Sequence, residues 1–158
     1  MNHVGIGYDV HSLVAGRKLI LGGVEISHPK GLEGHSDADV LMHAVCDALL
    51  GALGEPDIGH FFPNTEPRWR GAPSKVFLQE AARQVALRKG NIINVDATVI
   101  AQQPKVYPHL KEMKVNIAAA LGIDAGAVGI KATTNEHLGF IGREEGIAAL
   151  AVASVDLP

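Results

Sequence analysis

The run His35-Ser36-Asp37-Ala38-Asp39-Val40-Leu41-Met42-His43, continuing to Leu50, constrains this chain more than any other stretch. Ser36 can cap a first turn with its hydroxyl, Asp37 and Asp39 suit the positive end of a helix, and the apolar spacing through Leu50 is helical. The reading is a helix with His43 near its start. On it Asp39, His43 and Asp47 fall four residues apart and share a face, while Leu41, Cys46, Leu49 and Leu50 are placed for a core. A solvated or hydrogen-bonded histidine explains such a stripe by itself. A second cluster changes that balance.

At the N-terminus, His3-Val4-Gly5-Ile6-Gly7-Tyr8-Asp9-Val10-His11 alternates as a strand does. Val4, Ile6, Tyr8 and Val10 point one way; Gly5, Gly7, Asp9 and His11 point the other. An Asp-x-His pair on one strand face plus one helical histidine makes an oxygen, nitrogen, nitrogen donor set, which suits zinc or a similar divalent ion. Three protein ligands leave a fourth position open, as catalytic zinc requires. The Gly5-Ile6-Gly7 run is not a dinucleotide fingerprint, because it opens no helix.

With 158 residues the expectation is one domain spanning 1–158, long enough to bury a real core. A hydrophobic fraction of 47% with only 4% aromatic residues describes an interior of Ala, Val, Ile and Leu, and no apolar run approaches a membrane span. The lone Cys46 permits no intrachain disulfide, and no secretory leader is read ahead of the first strand, so a cytoplasmic location is expected. A formal net charge of −3 without a basic run argues against nucleic acid as a partner. A polyanionic substrate would then have to be held by bound cations and a few placed side chains rather than by the overall field.

Further along, Lys18–Leu21 and Val24–Ile26 flank Gly22-Gly23, a two-residue hairpin signal. The loop Lys30–Gly34 then delivers His35 and Ser36 to the mouth of the organising helix, whose free N–H groups would be a natural phosphate seat. Residues 51–73 are rich in Gly, Pro and polar groups and read as a flap partly ordered by Phe61 and Phe62. Ser74 is expected to cap a second helix, Lys75 to Lys89, with Val76, Leu78, Ala82, Val85 and Leu87 as packing positions. Ile92 to Ala101 reads as a strand, followed by a loop held by Pro104 and Pro108. A third helix carries Leu110, Met113, Ile117 and Leu121 and stops at Gly122; Val128 to Thr133 and Ile147 to Val155 are further strands, the last apolar enough to suggest cover on both faces. The order fits an α/β domain of α+β type, with a mixed β-sheet and helices packed on one side.

The motifs Gly7-Tyr8-Asp9-Val10-His11, Gly34-His35-Ser36-Asp37-Ala38-Asp39 with His43, Asp57-Ile58-Gly59 with Phe62-Pro63, Ala101-Gln102-Gln103-Pro104-Lys105, and Lys131-Ala132-Thr133-Thr134 with Gly142-Arg143 occur in order along the chain. Together they resemble the 2-C-methyl-D-erythritol 2,4-cyclodiphosphate synthase family, from residue 3 to the last strand. The resemblance implies a homotrimer with active sites between subunits. It also implies a phosphorus-oxygen lyase of the non-mevalonate isoprenoid pathway, which turns 4-diphosphocytidyl-2-C-methyl-D-erythritol 2-phosphate into a cyclic diphosphate and CMP. By the same resemblance Asp9, His11 and His43 hold zinc, Glu136 ligates a magnesium or manganese ion on the diphosphate, and His35 and Thr134 stabilise the transition state. Asp57, Ile58, Gly59, Phe62, Pro63, Asn64, Thr65 and Glu66 match the substrate-binding segment around the sugar, and Ser36 at the helix mouth is a further substrate-binding position. Ala101, Gln102, Gln103, Pro104, Lys105, Val106 and Tyr107, with Thr133 and Asn135, match the cytidine and diphosphate segment, contributed by the adjoining subunit. Phe140 and Arg143 match further substrate-side positions near the trimer core. Asn64 and Glu66 stand where the family often has Asp, and Asn135 and His137 where Thr and Lys are common.

Two other readings stay open at this level. One is a zinc-dependent phosphohydrolase that activates water, for which Asp39, Asp47 or Asp57 would be the general base. The other is a trimeric scaffold with a structural zinc, whose central cavity binds a hydrophobic or prenyl ligand.

Overall fold

How the sheet meets its helices is decided by the glycines that alternate with apolar residues in the first strand. In the computed structural model, which describes residues 1–158, strand β1 spans Asn2–Ala15 and helix α1 spans Val40–Ala52 across it. A Cβ added at Gly5 would lie 2.0 Å from the Ala48 carbonyl oxygen, and one at Gly7 would lie 1.9 Å from that of Ala44. Only glycine lets the helix come so close, and Ala44, Ala48 and Ala52 are correspondingly small on its underside.

β1 pairs antiparallel with β7 (Gly146–Asp156), from Asn2 opposite Asp156 to Ser12 opposite Gly146. β5 (Asn91–Ile100) lies antiparallel on the other side of β7, and β6 (Val128–Thr133) runs parallel to β5. The short strand β4 (Lys30–Leu32) completes a five-stranded mixed sheet of order β4-β1-β7-β5-β6. β2 (Leu19–Leu21) and β3 (Val24–Ile26) form the separate hairpin expected around Gly22 and Gly23, both of which have positive φ. Helices α1, α3 (Lys75–Leu87) and α4 (Leu110–Leu121) and the hairpin share one core, centred on Leu41, Met42, Leu49, Leu78, Met113 and Ile117. α1 is buried nearly all round, which is why it carries little amphipathic contrast. The short helices α2 (Ile58–Phe61) and α5 (Gly139–Gly142) lie in loops, and no helix is long and apolar enough to cross a membrane.

Several expectations need correction. Ser36 does not cap α1. The chain turns through Ala38, whose φ is 57°, and the cap is Asp39, whose carboxylate accepts the Met42 N–H at 3.1 Å. Asp39 is fully buried and also accepts the N–H groups of Gly22 and Gly23 at 2.9 and 2.7 Å, so it clamps hairpin to helix instead of joining His43 on a polar face. Ser74 holds the cap position of α3 but makes no side-chain cap bond, and the helix ends at Leu87, itself exposed. Part of the Lys30–Gly34 loop is a strand. β7 is covered on both faces only over Gly146–Ala149; beyond it Leu150 and Val152 alternate outward and are exposed. On β1 the apolar set Val4, Ile6 and Tyr8 likewise faces outward, opposite the helices.

Candidate metal centre and its cleft

The inward face of β1 places Asp9 and His11 side by side, and the first turn of α1 lowers His43 onto them. Asp9 Oδ2 lies 2.9 Å from His11 Nε2 and 3.0 Å from His43 Nδ1, and the two imidazole nitrogens are 3.3 Å apart. The other nitrogen of His11, Nδ1, lies 2.8 Å from the Glu33 carbonyl oxygen and can bond to it only as a donor. Nε2 is thereby left as a lone pair directed at the cluster. One carboxylate oxygen and two imidazole lone pairs converge, a set that fits a divalent ion of zinc's character.

The electrostatics of the chain agree. Burial alone would raise the Asp9 pKa, but hydrogen bonds and charge from His11 and His43 hold it down at about 2. Burial would lower that of His11, yet its bond to Asp9 and the Asp9 charge leave it raised. Lone pairs this crowded attract a positive charge, whether a proton or a metal.

Around the cluster lies a cleft of about 440 Å³, lined by Asp9, His11, His35, Ser36, His43 and the flap residues Ile58, Gly59, Phe62, Pro63 and Asn64. Trp69 and Phe77 also line it. Phe62, Trp69 and Phe77 form an aromatic wall, with ring centroids 4.5 Å apart for Phe62–Phe77 and 4.8 Å for Phe62–Trp69, and Phe77 packs on the His43 ring. Trp69 and Phe77 went unassigned by sequence reasoning. The signal was there in the scarcity of rings: a chain with one Trp and four Phe gathers three of these here.

Backbone and side chains tether the flap over this cleft. His35 Nε2 lies 3.0 Å from the Glu66 carbonyl oxygen and donates to it, the Gly71 N–H donates to the His35 carbonyl, and the Asp37 N–H donates to that of Ala72. At its other end Asp47 accepts the Ile58 N–H at 2.8 Å, and Asp57 caps α2 through the His60 N–H. The expected phosphate seat at the start of α1 is not open, because the Asp39 carboxylate occupies it. Of the two donors expected at this mouth, the Ser36 hydroxyl lines the cleft, while the His35 Nε2–H is engaged by the Glu66 carbonyl.

The remaining expected positions gather elsewhere. Thr133, Thr134, Asn135 and Glu136 follow β6, and the loop Ala101–Tyr107 follows the adjacent β5. The two are joined by the Ala101 N–H donating to the Thr133 carbonyl and the His137 N–H donating to Gln102 Oε1. Glu136 is exposed and in the left-handed region, at φ 50°, and does not join the Asp9, His11, His43 group. Neither this pair of loops nor Phe140 and Arg143 lines the cleft of the same chain; nor do Asp57, Thr65 and Glu66. Arg143 pairs with Glu145 on the surface.

A profile of the YgbB family matches residues 2–156. The 2-C-methyl-D-erythritol 2,4-cyclodiphosphate synthase of Dechloromonas aromatica is 61% identical over 153 residues, 97% of this chain and 96% of that protein. Among solved structures, the bifunctional IspDF of Campylobacter jejuni superposes with a TM-score of 0.95 at 41% identity, covering 100% of this chain and 43% of that longer one. The Plasmodium falciparum IspF in complex with CDP superposes with a TM-score of 0.87 at 35% identity, covering 99% of this chain and 96% of that one.

Proposed function

This chain belongs to the YgbB family, and we propose that it performs the reaction for which its relatives are named, closing 4-diphosphocytidyl-2-C-methyl-D-erythritol 2-phosphate into 2-C-methyl-D-erythritol 2,4-cyclodiphosphate. It is a lyase of the non-mevalonate route to isoprenoids. An oxygen of the 2-phosphate attacks the β-phosphorus, the bond from that phosphorus to the bridging oxygen breaks, and CMP leaves with the bond's electron pair. The observation that carries the reading is the Asp9, His11, His43 cluster opening into a cleft walled by His35, Ser36 and the flap.

A phosphate nucleophile is already ionised near neutral pH, so the site has to position two anions and neutralise them, and needs no strong base. Asp9, His11 and His43 would hold zinc, which when bound supplies Lewis-acid polarisation of a phosphoryl oxygen. Ser36 would donate a hydrogen bond toward the reacting phosphates, and His35 would do so by releasing the Glu66 carbonyl when substrate enters. The Phe62, Trp69, Phe77 wall and the tethered flap keep water from the β-phosphorus, which would otherwise be hydrolysed.

Homotrimerisation is part of the proposal. Thr134 as a transition-state donor, Glu136 as the ligand of magnesium or manganese, and the Ala101–Tyr107 loop as the cytidine seat all lie outside the cleft of their own chain. A neighbouring subunit would bring them to it. CDP bound to the Plasmodium relative supports a cytidine diphosphate ligand.

The hydrolase reading loses support because its candidate bases are spent. Asp39 accepts three backbone N–H groups, Asp47 holds Ile58, Asp57 caps α2, and none of them lines the cleft. Cys46 is buried, and its thiol pKa is pushed up by burial, so it is an inert core thiol. Phosphorus NMR of the protein with substrate, zinc and magnesium tests the reading. Two coupled cyclic diphosphate signals with CMP are expected, and they should vanish in His43→Ala. Linear phosphates would indicate the hydrolase, and intact substrate would end the assignment.

A further inference from the structure

His43 faces the metal cluster with one ring nitrogen and the protein interior with the other. Its Nδ1 is the atom beside Asp9 and His11, while Nε2 lies 2.9 Å from the Ser74 hydroxyl and 3.3 Å from that of Ser36. A neutral imidazole carries one proton, and the partner on one nitrogen decides what the other can do. Ser74 makes that decision. Its single hydroxyl proton is donated to Asp37 Oδ1, while its backbone N–H is donated to Oδ2 of the same carboxylate at 2.9 Å. With its proton spent, the Ser74 oxygen can only accept from His43, so Nε2 must be the protonated nitrogen. Nδ1 is then a free lone pair.

We propose that Ser74 and Asp37 form a hydroxyl-carboxylate relay that holds His43 in its Nε2-protonated form and so presents Nδ1 to a divalent cation shared with Asp9 and His11. The Ser74 hydroxyl is not used as a helix cap. The residue is almost fully buried, at 1% exposure, although it stands at the cap position of α3. Asp37 is likewise committed, since Oδ1 also accepts the Asp39 N–H at 3.0 Å. The Ser36 hydroxyl is the weaker partner at 3.3 Å and already accepts the Ala38 N–H. His11 is oriented in the complementary sense by the Glu33 carbonyl, so each histidine is fixed by an acceptor outside the cluster. Carboxylates and carbonyls behind a metal-binding imidazole commonly set its tautomer and raise its basicity; here a serine stands between. Ser74 and Asp37 are positioning residues, and the inference rests on the metal-site reading above.

Two variants and one spectrum test it. Ser74→Ala removes the acceptor. Asp37→Asn removes the carboxylate charge and sets an NH2 either against the Ser74 N–H or, at the Oδ1 position, against the Asp39 N–H and the Ser74 oxygen. Either placement weakens the hold on the Ser74 hydroxyl proton and lets it turn toward Nε2, which favours a proton on Nδ1. Both should lower zinc affinity about 10- to 100-fold in competition with a chelator while far-ultraviolet circular dichroism is unchanged. Imidazole ¹⁵N shifts of the metal-free protein at alkaline pH should place the His43 proton on Nε2 in the wild type and shift it toward Nδ1 in Asp37→Asn. Wild-type zinc affinity in both variants, or a wild-type His43 proton on Nδ1, would overturn the relay. If Ser74→Ala does not fold, the wild-type spectrum and Asp37→Asn decide alone. A wild-type protein that bound no zinc would instead overturn the metal site on which the relay depends.

Discussion

Asp9, His11 and His43 repel one another as lone-pair donors until a positive charge sits among them, and this fixes how the site answers to pH. The raised pKa of His11 means that its pairing with Asp9 contributes stability that is complete below pH 6.5 and is lost as pH rises through the raised value. Asp9 acts in the opposite sense. Held at about 2 against an ordinary 3.8, it contributes on the order of 2 kcal/mol above its unfolded pKa, lost as pH falls through about 2. Zinc competes with the His11 proton, so its binding strengthens over the range where the metal-free pairing fades. Between about pH 6 and about pH 8, the melting temperature of chelator-treated protein should therefore fall relative to that of the zinc-saturated form. Scanning calorimetry at matched ionic strength checks this, and a zinc increment that did not grow with pH would exclude His11 Nε2 as a ligand. The three clustered residues were legible in the sequence because alternation along a strand and position on a helix set their directions. Ser74 and Asp37 were not, since their roles depend on two segments meeting at Ser74 and Asp37 Oδ1, which no spacing encodes.

At the scale of elements, the close seating of α1 on β1 sets the depth at which His43 reaches the cluster. Gly7→Ala would force a methyl within 1.9 Å of the Ala44 carbonyl oxygen and 2.7 Å of the Ala48 N, backbone atoms that cannot step aside. The helix must lift, and Ala44 is the residue next to His43. We expect a loss of about 3 kcal/mol or more in urea unfolding, together with weakened zinc binding in whatever protein folds. Gly16→Ala is the contrast: no atom lies near its Cβ position, and only the φ of 82° is strained, so zinc binding should hold. The strands other than β4, the Gly22-Gly23 hairpin and the stop of α4 at Gly122 were readable, because each is set by local periodicity or by a residue with left-handed freedom. The start of α1 was misread for a physical reason. Ser36 and Asp39 are both good caps three residues apart, and Asp39 wins because Gly22 and Gly23, far away in sequence, need its carboxylate. β4 has only three residues, Lys30–Leu32, and carries no period to read.

For the whole molecule, the face of the sheet away from the helices is the feature that asks for a partner. Ile6 sits directly opposite Val152 and Tyr8 opposite Leu150, all exposed, with Ile6 at 71%; Val4 extends the patch along β1. Next to it, Asp96 of β5 stands opposite Val152, and its ion pair with Lys131 of β6 gives the apolar stripe a polar border. A contiguous apolar patch with a charged rim is what an interface between subunits looks like before assembly. The periodicity of β7 reads as cover on both faces, and the single chain gives that only to Gly146–Ala149; on the proposed trimer, cover for Leu150 and Val152 would come from neighbouring subunits. On the proposed assembly the loops after β5 and β6, absent from the metal cleft of their own chain, would reach the next subunit's cleft, a head-to-tail contact that a three-fold rotation closes as a ring. The solution mass should then be three times the 16.6 kDa of one chain. Ile6→Asp combined with Val152→Asp places opposed carboxylates in the middle of the patch and should leave a monomer by light scattering. That monomer should still take up zinc, because Asp9, His11 and His43 come from one chain, but should lose turnover by about 100-fold or more for want of the neighbour's loops. A monomer with undiminished turnover would show that one chain completes the site, and an unchanged mass would show that the exposed face is not where the subunits meet.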